Sequence, residues 1–262
     1  MSGGASFRAH LVDTLWVVGV FAFVCAVWEF AVKAFDLPVF VLPPVEDVVA
    51  DLLSAPGLFA SHALFTVGMA LAGFAVAASV GLLMAFAVVS SRILDRILMT
   101  FLALLHSVPK VALAPLFVIW LGAGFEPKIA IAAMMSVLVI VVDAVAGLRS
   151  VDPEMVNLAR VYRASPLAIM LKVRLPAALP HIFASWKVAI SLSLIGAIVG
   201  EYVGGQRGLG YLILVSQGSF DTPRVFASVL LLSVIATALY YLIALAERMF
   251  APWHVSRRAG GH

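Results

Sequence analysis

Charged residues are scarce in this chain: they make up 12% of its 262 residues, against roughly 25% in soluble globular domains. Hydrophobic residues make up 63%, and the mean hydropathy is +1.11. A water-soluble surface cannot be built from so few charges. The composition therefore excludes a soluble domain and predicts an integral membrane protein.

Cysteine and the common metal-binding and nucleotide-binding patterns are also missing. The single cysteine, Cys25, excludes a disulfide framework and a cysteine-based metal site. The sequence has no HExxH motif, and its six histidines share no metal-ligand spacing. The glycine-rich stretch 204–210 lacks the Gly-Lys-Ser/Thr ending of a nucleotide loop and predicts a turn on the outer side. The sequence also contains no stripe of basic residues with interleaved aromatic residues, the pattern that would suit nucleic-acid binding. We expect no catalytic residue, no metal site, no cofactor bound by this chain and no nucleic-acid partner.

Long apolar runs are what the sequence does contain. A helix needs about 20 apolar residues to cross the hydrocarbon core of a bilayer, and six runs reach that length. They are residues 15–35, 64–89, 97–121, 128–147, 182–203 and 225–250. We therefore predict an all-α fold, that of a polytopic membrane protein with six transmembrane helices.

The other segments divide the chain. We assign residues 1–14 to an N-terminal segment, 15–61 to the first span and an outer connector, 62–250 to the main membrane domain, and 251–262 to a tail. In the connector, the apolar spacing of VEDVVADLL predicts a short amphipathic helix on the membrane surface. The second run carries a face of small residues that suits close helix packing: Gly68, Gly73, Ala77 and Gly81.

Lysine and arginine are unevenly distributed between the predicted loops. With a cytoplasmic N-terminus, eleven lie on the inner side: Arg8, Arg92, Arg96, Arg149, Arg160, Arg163, Lys172, Arg174, Arg248, Arg257 and Arg258. Four lie on the outer side and its rims: Lys33, Lys128, Arg207 and Arg224. Because short loops rich in Lys and Arg stay in the cytoplasm, we predict that both termini and the segment 148–180 are cytoplasmic.

The segment 152–180 is the only long break in the apolar second half of the chain. Asp152 is a candidate N-cap and Pro153 suits a first turn, so MVNLARVY is predicted to be helical. Ser165-Pro166 forces a break, because the residue before proline avoids the helical region. A second short helix should follow, which Pro176 and Pro180 would redirect into the membrane. Two rigid helices at an angle favour docking of a cytoplasmic partner over a passive connection.

This segment, VDPEMVNLARVYRASPLAIMLKVRLPAALPHI, resembles the cytoplasmic loop of bacterial ABC-importer permeases. The resemblance extends over about residues 42–253 and includes LPPVEDVV, SVPKVALAPLFVIWLG, GLRSVDPE and GEYVGGQRGLGYLI. Together these stretches resemble the type 1 permeases for nitrate, taurine, alkanesulfonates, bicarbonate and the pyrimidine precursor of thiamine.

The resemblance implies partners and a location. It implies the type I ABC importer permease fold in the bacterial inner (plasma) membrane, surrounded by lipid, with a second copy forming a homodimer. Two ATP-binding subunits would carry ATP and Mg, and a periplasmic or lipid-anchored binding protein would deliver the solute. The chain itself would not be an enzyme, since ATP hydrolysis would reside in a separate subunit.

The resemblance also implies which residues contact the ATPase. In the family, Glu-Ala-Ala, three residues, Gly and a later Leu-Pro mark a short helix that sits in a cleft of the ATPase subunit. Asn157, Leu158 and Ala159 occupy the Glu-Ala-Ala positions, and Arg163 replaces the glycine. Either the partner is matched to these changes or the coupling is weaker; we favour a matched partner because the surrounding pattern is intact. The implied coupling residues are Asn157, Leu158, Ala159, Arg160, Arg163, Ala164, Ser165, Pro166 and Pro176.

Polar groups inside the spans are candidates for the translocation pathway, because a charge in lipid costs about 2.5–3.5 kcal/mol. The candidates are Lys110, Asp143, Ser191 and Glu201. Lys110 lies between Pro109 and Pro115, and it could equally pair with Asp143. Asp143 could instead reach the inner interface or pair with Arg149, which we favour slightly. Glu201 could simply be interfacial, and Ser191 could serve helix packing.

The sequence as a whole predicts the permease subunit of an ATP-driven importer for a small, anionic or heteroaromatic solute. If the solute is an anion, Lys110 is the residue expected to provide electrostatic selectivity. Two alternatives remain: a secondary transporter driven by an ion gradient, and a membrane scaffold that transports nothing. No inverted repeat of the kind that secondary transporters carry is evident in the sequence.

Overall fold

The computed structural model describes residues 19–20 and 23–251, and within this range every regular element is a helix. In chain order these are α1 (23–34), α2 (Val45–Ser54), α3 (Pro56–Ser90), α4 (Arg92–Ser107), α5 (Ala114–Leu121), α6 (Glu126–Arg149), α7 (Pro153–Val161), α8 (Pro166–Ile169), α9 (Leu175–Gly204), α10 (Leu209–Gly218) and α11 (Thr222–Phe250). A 3₁₀ turn (Lys110–Leu113) precedes α5, and a π turn (Met170–Arg174) joins α8 to α9. The all-α prediction is confirmed.

Four helices of the described chain are long and apolar enough to cross a membrane. They are α3, α6, α11 and the 39-residue helix Pro166–Gly204, which runs through α8, the π turn and α9. A fifth span results if α4 is counted as one bent span together with the 3₁₀ turn and α5 that follow it. The predicted first span, 15–35, lies partly outside the described residues. The count of six therefore stays a prediction.

The predicted third span, 97–121, is not a straight helix. Its two halves, Arg92–Ser107 and Lys110–Leu121, meet at 87°. Val108 between them is extended, with φ −80° and ψ 129°. It precedes Pro109, and proline both restricts the residue before it and removes a backbone donor.

The segment 152–180 also differs from the prediction. We expected a second short helix that Pro176 and Pro180 would redirect, but the helix that begins at Pro166 continues without a break to Gly204. The Leu175 N–H donates to the Met170 carbonyl in the π turn. This wider turn lies where the Pro176 ring would otherwise meet the carbonyl four residues earlier. The half-buried Pro176 is thus part of a spanning helix.

The described residues divide into two compact units. One contains the residues up to Ala60 together with Leu212–Leu230, and the other contains Ser61–Tyr211 together with the residues from Leu231 onward. In the first unit, α2 is the short helix that was predicted for the connector. The Trp28 Nε1–H donates to the Pro43 carbonyl (2.9 Å) and so fixes the connector on α1.

The second unit is built on close contacts between helices that carry small residues. On α3, a Cβ at Gly73 would lie 2.4 Å from the Ala132 Cβ of α6, and a Cβ at Gly81 would lie 2.8 Å from Ile140. On α9, a Cβ at Gly196 would lie 2.6 Å from the Ala132 Cα. Glycine permits these approaches because it has no side chain between the two backbones, and such close backbone packing favours helix association in lipid. The small-residue face predicted for the second run therefore does pack, except at Gly68, where nothing lies within 4 Å of an added Cβ.

Candidate functional site

The segment 152–180 begins with two capped helices. The Asp152 side chain accepts a hydrogen bond from the Glu154 N–H (2.8 Å), and Pro153 occupies the first turn of α7, where its missing N–H forfeits no bond. The Ser165 hydroxyl accepts from the Ala168 N–H (3.2 Å) and caps α8 in the same way. The predicted cap of α7 and the predicted break before α8 are both confirmed.

The turn between α7 and α8 places Arg163 in the left-handed region, with φ +58°. The Arg163 N–H donates to the Arg160 carbonyl (2.9 Å), and the Ala164 N–H donates to the Ala159 carbonyl (3.0 Å). These two bonds form a Schellman motif, whose left-handed position is usually glycine. Arg163 thus stands where the backbone itself favours the glycine of the family pattern, and an arginine there carries backbone strain.

One face of α7 is anchored and the other is open. Val156 is buried and holds the helix on the protein. Four large apolar side chains on and beside α7 are at least half exposed: Met155 (55%), Leu158 (54%), Val161 (78%) and Tyr162 (79%). Asn157, Arg160 and Arg163 are exposed among them. A single short helix therefore presents an apolar surface with a basic margin.

A second cluster holds the glycine-rich turn after α9. Three successive N–H groups at the start of α10 point at side chains of other helices. The Gly208 N–H is placed to donate to His62 Nδ1 (3.0 Å), the Leu209 N–H donates to Thr66 Oγ1 (2.8 Å), and the Gly210 N–H donates to Glu201 Oε2 (2.7 Å). Helix N-termini leave such donors without intrahelical partners, so α3 and α9 together cap α10.

This arrangement explains why the turn contains Gly-Leu-Gly. Gly208 has φ +113°, and a Cβ there would lie 2.2 Å from the Glu201 Cδ. A Cβ at Gly210 would lie 2.9 Å from the Glu201 Oε2. Glycine is required at both positions by the approach of one carboxyl group.

Glu201 thus has a structural role within the protein, and its depth in the membrane stays a prediction. It is fully buried, and its carboxylate positions a turn. Lys128 lies in the same region, nearly buried, and its Nζ donates to three carbonyl oxygens, those of Ala123 (3.4 Å), Gly124 (2.8 Å) and Gly204 (3.2 Å). A buried ammonium has three donors to satisfy, and these carbonyls satisfy all three.

Sequence reasoning missed the roles of His62, Thr66 and Lys128. Thr66 follows His62 by four residues, which puts them on the same face of α3, but no local pattern showed which side chains would meet the turn. The distance in sequence between His62 and Gly208 is 146 residues.

The other predicted pathway residues are not paired as expected. Arg149 pairs with Asp95 (2.7 Å) and so is not the partner of Asp143. Across the described residues, Lys110 and Asp143 form no ion pair with each other or with any other side chain. Lys110 lies half-buried in the 3₁₀ turn, and Asp143 lies half-buried on α6 at the edge of a cavity.

Ser191 lies half-buried on α9, at a recess that it shares with Tyr240 and Tyr241 of α11. The four pathway candidates are thus spread over separate places, and their roles stay predictions. Within residues 19–20 and 23–251, no group of three or more His, Cys, Asp or Glu side chains is placed to hold a metal ion.

Comparison with known proteins gives relatives over most of the chain. Residues 77–253 match the family of binding-protein-dependent transport system inner membrane components. The riboflavin transport system permease protein of Chloroflexus aurantiacus is 35% identical over 87% of this chain and 86% of its own length. The formylaminopyrimidine transport permease protein of Halalkalibacterium halodurans is 27% identical over 89% of this chain and 93% of its own length.

A solved structure has the same fold. One chain of the MetNI methionine ABC transporter, crystallised in inward facing conformations, matches with a TM-score of 0.65. The match covers 75% of this chain and 98% of that one at 17% identity. Together with the sequence relatives, it confirms the fold and the resemblance found in the sequence.

Proposed function

Because the chain belongs to the family of binding-protein-dependent transport system inner membrane components and is an ABC importer permease for small solutes, we propose that it couples ATP hydrolysis by a partner subunit to alternating access. Its multi-pass character and its family imply the inner membrane. Bond chemistry belongs to the partner, which holds ATP and Mg; this chain supplies the path and the contact with that partner.

The observation that carries the proposal is the exposed apolar face of α7. Met155, Leu158, Val161 and Tyr162 are left exposed on a helix that is capped, anchored at Val156 and closed by a tight turn. Exposed apolar patches with polar margins mark interaction surfaces. We assign this face to the ATP-binding subunit.

The arginines beside this face suggest the chemistry of the partner. Arg160 and Arg163 are exposed and form none of the ion pairs found in the described chain. An acidic margin on the ATPase cleft would complement them, and this is the matched partner that replaces the family's glutamate contact. Asn157 would then serve as a neutral neighbour within the contact.

The remaining partners follow from the family. Two copies of this chain would form the path between them, two ATP-binding subunits would dock on the inner side, and a periplasmic or lipid-anchored binding protein would deliver the solute. The lysine and arginine distribution supports cytoplasmic termini. The solute class is anionic or heteroaromatic: the named relatives carry riboflavin and formylaminopyrimidine, and the sequence also resembles sulfonate and nitrate permeases.

Charge reversal tests the docking surface. The double variant Arg160→Glu, Arg163→Glu should lose copurification with the ATP-binding subunit, because acidic groups would face an acidic margin. Arg248→Glu, an exposed arginine at the end of α11, is the matched control and should keep the partner. Full assembly of the double variant would contradict the assignment.

Uptake into proteoliposomes tests the energy source. Solute uptake should require ATP inside the vesicles and should stop when the partner ATPase is inactivated. Uptake that follows an ion gradient and ignores ATP would instead favour a secondary transporter. Assembly with an active ATPase but no uptake of any solute would favour a scaffold.

A further inference from the structure

A cavity of about 460 Å³ lies between the C-terminal halves of α4 and α6. This volume falls in the range of small-molecule sites, which is about 300–1,000 Å³. Most of its wall is apolar and comes from both helices: Met99, Leu102, Ala103, Leu138, Val139 and Val142.

Two polar side chains line the cavity, His106 of α4 and Asp143 of α6. In the described part of the chain, the Asp143 carboxylate forms neither a hydrogen bond nor an ion pair. Arg149, one turn and a half further along α6, is bound to Asp95 instead (2.7 Å). His181 of α9 is close enough to Asp143 to act on it electrostatically.

An acid in a membrane-spanning helix is expensive and normally faces a partner or a cavity. Asp143 faces a cavity and lacks a protein partner in the described chain, so a ligand with hydrogen-bond donors would satisfy it. The same carboxylate would repel an anion. His106 adds a ring nitrogen that can donate or accept, and the apolar walls suit the faces of a flat ring.

We propose that this cavity binds the transported solute within the membrane and that it selects a planar heteroaromatic solute with N–H donors over an anion. The inference rests on the proposed transport function and narrows its solute class. Asp143 accepts from the N–H edge of the solute, His106 bonds a second polar atom, and the Met, Leu and Val side chains of α4 and α6 contact the ring faces.

This assignment changes the expectation for Lys110. An anionic solute would have made that lysine the selectivity residue, but it does not line this cavity. The electrostatics of the cavity come from Asp143, whose sign is opposite. Selectivity thus lies with an acid.

The test is direct binding to the purified permease in lipid nanodiscs. Riboflavin, followed by fluorescence anisotropy, and 4-aminopyrimidine, followed by calorimetry, are the heteroaromatic probes, and ethanesulfonate is the anionic probe. At least one heteroaromatic probe should bind, and ethanesulfonate should not. Asp143→Asn should weaken that binding about 10- to 100-fold, the effect of losing a hydrogen bond to a charged group.

Two further variants make the result interpretable. Ala103→Phe fills the cavity from α4 without changing charge and should abolish binding. Glu126→Gln makes the same chemical change as Asp143→Asn on the same helix, at an exposed position outside the cavity, and should bind like the unchanged protein. Each variant is checked for a single symmetrical peak in size-exclusion chromatography.

Several outcomes would overturn the assignment: equal binding by Asp143→Asn, preference for ethanesulfonate, or a copurified lipid or second copy that fills the cavity and leaves neither probe bound. Failure of probe binding in a permease that still supports ATP-dependent uptake removes only this inference. If the wild-type permease shows no ATP-dependent uptake, the proposed function itself is contradicted.

Discussion

Replacing Gly208 with alanine should disrupt the turn before α10. The added Cβ would lie 2.2 Å from the Glu201 Cδ and 2.3 Å and 2.5 Å from its two carboxylate oxygens. Real Cβ atoms do not approach so closely, so the buried carboxyl group must move. The same substitution places a side chain at φ +113°.

The magnitude follows from these two effects. The backbone conformation costs about 1–3 kcal/mol for a residue with a side chain. Displacing the carboxylate forfeits its 2.7 Å bond to the Gly210 N–H, and a hydrogen bond to a charged group contributes about 1.5–3 kcal/mol. The total is about 2.5–6 kcal/mol, which corresponds to a fall in the apparent unfolding midpoint of roughly 5–25 °C.

The assay is thermal unfolding in nanodiscs, run as a double-mutant cycle with Glu201→Ala. In the Glu201→Ala background the collision is gone, so Gly208→Ala should cost only the backbone part, about 1–3 kcal/mol. An identical shift in both backgrounds would show that the carboxyl group is not the obstacle. A wild-type midpoint for Gly208→Ala would refute the reasoning altogether.

Two other predictions use the same assay. Arg163→Gly should leave the unfolding midpoint nearly unchanged. It relieves about 1 kcal/mol of left-handed backbone strain, but glycine gains about 0.5–1 kcal/mol of conformational freedom in the unfolded state. Arg163→Val should lower the midpoint, and a large loss with Arg163→Gly would contradict the Schellman turn. Gly196→Ala should lower the free energy of unfolding by about 1–3 kcal/mol, because its Cβ would lie 2.6 Å from the Ala132 backbone. Gly68→Ala, with open space around the added Cβ, should be neutral or stabilising by up to about 1 kcal/mol. Equal effects at both glycines would contradict the packing of α9 on α6.

Local chemistry explains what the sequence could predict. The cap at Asp152 and the break at Ser165-Pro166 depend on neighbouring residues only. Composition alone indicated a membrane protein, because the number of charges limits the surface that can face water.

The errors have physical causes too. Pro176 and Pro180 predicted a redirected chain, but the helix continues through both prolines, and the π turn upstream accommodates the Pro176 ring. Asp143 and Arg149 are close in sequence, yet Arg149 forms its ion pair with Asp95 of another helix. The environment of Glu201 depends on residues from α3, far away in the chain, and no local pattern reports such a meeting.

The continuous helix Pro166–Gly204 connects the turn at Arg163 mechanically to the turn that Glu201 holds. At 1.5 Å per residue its 39 residues extend about 58 Å, well beyond the roughly 30 Å of the hydrocarbon core. One end adjoins the turn at Arg163, and the other carries Glu201 and its grip on the Gly-Leu-Gly turn. A continuous helix transmits displacement along its length, except where its hydrogen bonding is irregular, at the π turn and at Pro180. Motion imposed at Pro166 must therefore either bend the helix at one of these two points or move the turn that Glu201 holds.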